Sequence, residues 1–278
     1  MRRIDDTFAR LRREGRTGLV TYVTAGDPDL ERSAAILRAL DRAGVDILEV
    51  GVPFSDPLAD GPVIQRATER ALAAGATLTS TLSLIGRERG DVHAPIVLFT
   101  YVNPILRLGF DRFARTAAEA GVDGVLVLDL PLEEAGELHA SLERLGLDTI
   151  FLLSPTTTVD RIREAARLGR GFLYAISRLG VTGARDTVAE GAAELCSRIR
   201  RETTLPIALG FGLSRPEHVL AAGRIADAAV VGSALVETIA RHAASAQLVE
   251  EVAHFVGWLR GRQPAGAPAA VRDRERAP

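Results

Sequence analysis

A chain of 278 residues with 34 basic and 36 acidic side chains carries a formal charge of −2. That balance gives no electrostatic basis for binding nucleic acid or an anionic membrane. All 34 basic residues are arginine, which excludes Schiff-base chemistry, lysine general bases and a lysine-bearing phosphate loop. The single cysteine, Cys196, allows no internal disulfide or thiolate metal cluster and suits a reducing compartment. The N-terminus is too charged for a secretory signal, and no apolar run approaches the roughly 20 residues of a membrane span. The expectation is a soluble, cytoplasmic protein.

In chain order, an amphipathic segment over 2–13 comes first and is expected to cover one end of the fold. The run GLVTYV (18–23) follows, and the turn after it, TAGDPDLERS, lacks the GxGxxG of a dinucleotide site. Helical spacing in LERSAAILRALDRAG (30–44) leads to VDILEV (45–50), and further Val, Ile and Leu-rich runs recur at 94–99, 123–128, 147–153, 171–176, 205–210 and 226–232. Each has the length of a strand buried on both faces. Helical stretches lie between them, as at 133–146 and 159–169, and Gly44, Gly146 and Gly169 are placed to end helices as left-handed residues. Eight β-then-α units predict an α/β fold, a single-domain (β/α)8 TIM barrel over 1–262 with an extra N-terminal helix. The Pro, Ala and charge-rich stretch 263–278 is expected to be a disordered tail.

Reactive groups in such barrels lie at the C-terminal ends of the strands and in the loops beyond. Glu49 sits there between Leu48 and Val50. Burial in an apolar strand would raise its pKa toward neutrality, where a carboxyl can both give and take a proton. The other reading is a core glutamate paired with an arginine. Beyond it, Asp56 and Asp60 lie in a loop stiffened by Pro53, Pro57 and Pro62. Two acids in different environments suit two different roles, although Asp60 is also placed to cap the helix that follows. Glycines at Gly210, Gly212 and Gly232, with Ser233 opening a helix, are where a barrel would hold a phosphate by backbone N–H groups. The loop 177–190, with two glycines and no core-forming run, has the makings of a lid.

The string EVGVPFSDPLADGPVIQ (49–65) resembles the signature of the tryptophan synthase alpha family. The resemblance continues through YVTAGDP (22–28), TYVNPIL (100–106), VLDLPLEE (127–134), YAISRLGVTGAR (174–185), LGFGLS (209–214) and VVGSALV (230–236). It implies a lyase, without cofactor or metal, that splits indole-3-glycerol phosphate into indole and glyceraldehyde 3-phosphate. By resemblance Glu49 moves protons, Asp60 stabilises charge at the indole nitrogen, and Tyr174 contacts substrate. Gly183, Gly212, Gly232 and Ser233 would hold the phosphate, and Tyr22, Phe99, Leu126, Leu152 and Phe211 would line the indole slot. Thr182 would meet a loop aspartate when the lid closes. The resemblance also implies a beta-chain partner in an α2β2 assembly, met through Asp56, Pro57, Asn103, Asp129 and Pro131. A stand-alone indole-glycerol phosphate lyase and a catalytically idle regulatory subunit are the alternative functions. Tyr22 stands where some members have phenylalanine, and Thr21 where many have proline.

Overall fold

The computed structural model describes residues 2–176, 190–210 and 212–262. Most of the expected lid, with Thr182 and Gly183, together with Phe211 and the 263–278 tail, lies outside the described residues. Eight parallel strands close into a barrel in sequence order, the first pairing with the eighth. They are β1 (Gly18–Thr24), β2 (Ile47–Gly51), β3 (Ile96–Thr100), β4 (Gly124–Val127), β5 (Asp148–Leu153), β6 (Leu173–Ile176), β7 (Ile207–Gly210) and β8 (Ala228–Val231). Several start one or two residues later than the apolar runs, because the residues just before them form the entry turn.

Side chains alternate along each strand, and the two faces build two cores. Outward residues such as Leu48, Val50, Leu98 and Leu209 pack under the helices. Inward residues Val20, Ile47, Val97, Leu126, Ile150, Phe172, Ala208 and Ala228 fill the barrel. The helix Arg3–Glu14 closes the lower end of that inner core with Ile4, Phe8 and Leu11, residues one helical turn or so apart. Phe8 meets Phe172 with ring centroids 5.8 Å apart.

Glycine punctuation differs from expectation at one position. Gly44 and Gly146 are left-handed, but Gly169 is extended (φ −67°, ψ 152°). What requires glycine there is space, because a Cβ would stand 2.5 Å from the Ala165 carbonyl oxygen. The segment expected as one helix over 133–146 begins instead as a 3₁₀ turn, Leu132–Glu134, before the helix Gly136–Glu143.

Aspartates staple the barrel's lower rim. Asp46, Asp123 and Asp227 immediately precede β2, β4 and β8. Each accepts the first or second amide of the preceding strand, from Leu19 (2.9 Å), Ile96 (2.8 Å) and Ile207 (2.7 Å). Each carboxylate is also paired with arginine: Arg16, Arg89 and Arg200 respectively. Burial alone would raise the Asp46 carboxyl, but Arg16, the Leu19 amide and Arg260 together hold it below the usual carboxylate range. Its stabilising effect is therefore present above the unfolded pKa and fades as pH falls through the native one. Asp46→Ala should cost about 3 kcal/mol, since it strands buried donors. A shift in the denaturant midpoint corresponding to less than about 1 kcal/mol would remove this staple from the stability account.

Candidate active site

At the opposite end of the barrel, Glu49 pairs in register with Tyr22 of β1 and Val97 of β3 and is wholly buried. Neither Oε1 nor Oε2 has a hydrogen-bond partner among the described residues. Among the described residues no arginine pairs with it, as a neutralised core glutamate would require. An orphaned buried carboxyl is costly and calls for a functional reason. Burial pushes its pKa up to about 8, so near neutral pH it holds a proton that it can donate.

Asp60 comes from the loop beyond β2. It does not cap the helix Pro62–Ala73, whose N-cap is Gly61 without a side-chain bond. Instead its Oδ2 accepts from the Tyr101 hydroxyl at 2.9 Å, and the Tyr101 oxygen in turn accepts the Ala59 amide at 3.1 Å. Gln65 donates to the Asp60 carbonyl at 2.9 Å and fixes the loop from its other side. Burial raises the Asp60 carboxyl above its ordinary value, with the Tyr101 bond pulling it back. The two acids thus differ as expected: one is sealed and unpartnered, the other partly buried and held by a donor.

Tyrosines frame them. Tyr22 meets Phe99 edge-on, ring centroids 5.1 Å apart and planes at 73°. Burial, then the Asp60 charge, pushes the Tyr22 hydroxyl well above its usual range, and burial, then the Glu49 charge, does the same for Tyr174. Neither is a proton donor of suitable strength; both are walls with a polar tip. Each lies over a glycine on the neighbouring strand. A Cβ on Gly51 would sit 2.1 Å from the Tyr22 hydroxyl, and one on Gly210 would sit 2.5 Å from that of Tyr174. Leu152 is partly buried and packs against the inner core with Tyr174, while Leu126 is fully buried within that core. The apolar wall of the site therefore contains Tyr22, Phe99 and Leu152, with Leu126 at its floor.

Across the mouth, Gly212 is left-handed at φ 75°, a conformation that favours glycine. Gly232 is the N-cap of the helix Ser233–His242, whose first turn carries no acidic residue. Among the described residues its first amides, at Ser233 and Ala234, have no partner, so with the positive dipole end and the exposed Ser233 hydroxyl they can meet an anion.

On the outer surface of the same end, Asp56, Asn103, Asp129 and Pro131 are exposed and Pro57 is partly so. Two apolar side chains stand among them, Leu58 at 93% exposure and Leu106 at 53%. Asp129 Oδ1 accepts the Val102 amide at 2.7 Å, tying the loop after β4 to the helix Val102–Leu108. Through Tyr101 the same helix start reaches the Asp60 loop, so these three surface segments are mechanically linked to the site.

A family model of the tryptophan synthase alpha chain matches residues 8–260. The chain belongs to the tryptophan synthase alpha chain family. The alpha chain of Geobacter sulfurreducens is 51% identical over 260 residues, covering 94% of this chain and 98% of that relative. Tryptophan synthase subunit alpha from Legionella pneumophila has a similar structure, with a TM-score of 0.87 at 35% identity, covering 94% of this chain and 98% of that one. A structure from the tryptophan synthase α2β2 complex of Pyrococcus furiosus matches with a TM-score of 0.83 at 39% identity, covering 88% and 98% respectively. The family's reaction is the cleavage of indole-3-glycerol phosphate, which makes this chain a lyase.

Among the family's motifs, TYVNPIL holds a residue that sequence reasoning passed over. Tyr101 lies just beyond β3, two residues past Phe99, so the alternation that faces Phe99 inward would face it the same way; its ring also lies 5.1 Å from that of Phe54. Leu128, two beyond Leu126, joins the inner core by the same rule. Tyr101→Phe should lower turnover about tenfold while leaving the thermal midpoint within a few degrees. Loss of the hydroxyl also removes the bond that holds the Asp60 pKa down, so the acid limb of the pH–rate profile should move upward. An unmoved limb would show that Tyr101 does not act through Asp60.

Proposed function

We propose that Glu49 carries the proton in the cleavage of indole-3-glycerol phosphate, and that Asp60 balances the charge that forms on the indole nitrogen. The single observation that supports this most is the buried, unpartnered Glu49 carboxyl, protonated near neutrality. Its proton goes to indole carbon 3, leaving an indolenium cation whose N–H donates to the Asp60 carboxylate. The Glu49 carboxylate then takes the proton from the neighbouring glycerol hydroxyl. That oxygen forms the aldehyde carbonyl as the carbon–carbon bond breaks, and the bonding electrons return to the ring. Glu49 ends as it began, and the substrate's own ring is the electron sink.

Tyr22, Phe99 and Leu152 would hold the ring, with Tyr174 close to Glu49. Gly212, Gly232 and Ser233 would take the phosphate on backbone amides and the helix Ser233–His242, joined by Gly183; Phe211 would add to the indole slot and Thr182 to the lid. Ser233→Asp sets a carboxylate against that phosphate and should raise KM by about 100-fold with a smaller change in kcat. An unchanged KM would place the phosphate elsewhere. For the partner, we propose a beta chain that docks over Leu58, Leu106, Asp56, Pro57, Asn103, Asp129 and Pro131. Indole release from indole-3-glycerol phosphate by the purified chain, with and without a beta chain, tests the whole reading. Release that rises steeply with the beta chain supports it, fast release unaffected by the beta chain favours a stand-alone lyase, and no release in either condition overturns the enzyme reading.

A further inference from the structure

The lower rim, away from the reaction site, has a cleft of about 410 Å³ lined by Arg10, Glu14, Arg16, Asp46, Arg260 and Arg262. Four guanidinium groups face two carboxylates there, an excess of two positive charges. Asp46 has no capacity to spare. Its Oδ1 accepts from Arg16 at 2.9 Å and Arg10 at 3.2 Å. Its Oδ2 accepts from the Leu19 amide at 2.9 Å, Arg16 at 2.8 Å and Arg260 at 2.7 Å. Glu14 is engaged by Arg16 at 3.0 Å and lies 3.6 Å from Arg10. Arg262 has no carboxylate within ion-pair distance among the described residues.

Arg260 shows the imbalance most clearly. Its side chain is only 13% exposed and lies across Gly44, where a Cβ would stand 2.7 Å from Nη1. Burial, opposed by Asp46 and reinforced by the neighbouring Arg16 and Arg262, lowers its affinity for its proton. A guanidinium has five donors in a rigid fork, and among the described residues only one donor of Arg260 is taken, by an Asp46 oxygen. Forks with unused donors, arranged around a cleft and lacking counter-charge, are the chemistry that binds a phosphate-type oxyanion.

We propose that this cleft binds a multiply charged oxyanion of the phosphate class, held by Arg10, Arg260 and Arg262. It would be a second anion site at the far end of the barrel from the one that takes the substrate's phosphate. The ligand would join the N-terminal helix Arg3–Glu14 to the residues that follow the last described helix, Leu248–Leu259. Binding should therefore raise the thermal midpoint.

Inorganic pyrophosphate is the probe, used on the full chain carrying Ser233→Asp so that the upper mouth does not contribute, with potassium chloride at matched ionic strength as control. The expected result is a saturable rise in thermal midpoint and a calorimetric Kd that weakens about tenfold in Arg10→Gln and again in Arg262→Gln. Arg262 is exposed and Arg10 half-exposed, so both variants should fold and, with Ser233 in place, cleave substrate at the unsubstituted rate. A rise matched by potassium chloride, binding that survives the Arg10→Gln/Arg262→Gln double variant, or no binding in the Ser233→Asp chain would each overturn the site.

Discussion

Glu49→Gln is expected to lower kcat by about 10²- to 10⁴-fold, the range that a positioned proton carrier supplies, while KM changes little. Glutamine matches the carboxyl in size but cannot deliver a proton to carbon and then recover one from oxygen. A variant that keeps more than about a tenth of the rate would take Glu49 out of this role. The pH dependence gives a second reading of the same group. With the roles proposed above, the free enzyme would react from protonated Glu49 and ionised Asp60. The kcat/KM profile should therefore climb as Asp60 loses its proton and fall as pH passes about 8, where Glu49 does. Stability should carry the signature too. An acid whose native pKa is raised retains a proton that the unfolded chain releases, so the native state loses stability as pH rises from 4.5 to about 8. Glutamine removes that slope, and the inactive variant should be the more stable protein in alkaline buffer.

Asp60→Asn should cost about 100-fold to 1,000-fold in kcat, comparable to removing a preorganised partner of developing charge. The amide oxygen can still accept the indole N–H and the Tyr101 hydroxyl bond, so geometry and binding are largely kept. In the proposed role, what is lost is the negative charge opposite the indolenium, an interaction stronger in the transition state than in the ground state. The loss should fall on kcat and kcat/KM alike, measured by indole release. A drop of less than about threefold would mean that the cation is stabilised by other groups.

The barrel was legible because its signal is repeated and physical: doubly buried strands need continuous apolar runs, and eight of them recur with helical spacing between. Glu49 stood out for the same reason, as a charge in a segment where charge is expensive. What the chain alone left open were distinctions between partners. A strand glutamate can be neutralised or orphaned, and only the three-dimensional neighbours of Glu49 decide. Asp60 could equally serve a helix N-terminus, until the Tyr101 hydroxyl is seen to hold it. Tyr101 itself was passed over because it lies just past the end of β3, where an aromatic residue reads as core. The staples at Asp46, Asp123 and Asp227 were visible only as acids at the edges of apolar runs, since the amides they bind belong to the strand before.

The close stacking of Tyr22 on Gly51 and Tyr174 on Gly210 bears on how this pocket can change over evolutionary time. Because each ring occupies the volume that a neighbouring Cβ would need, neither glycine can be exchanged while its tyrosine stands, and the ring can be shortened only by opening a gap in the same wall. Substitutions at the four positions are epistatic, and each is conditional on its cross-strand companion. Single-site libraries will find this wall of the pocket intolerant, whereas altered ring specificity lies along paired replacements that move bulk from one strand to the next.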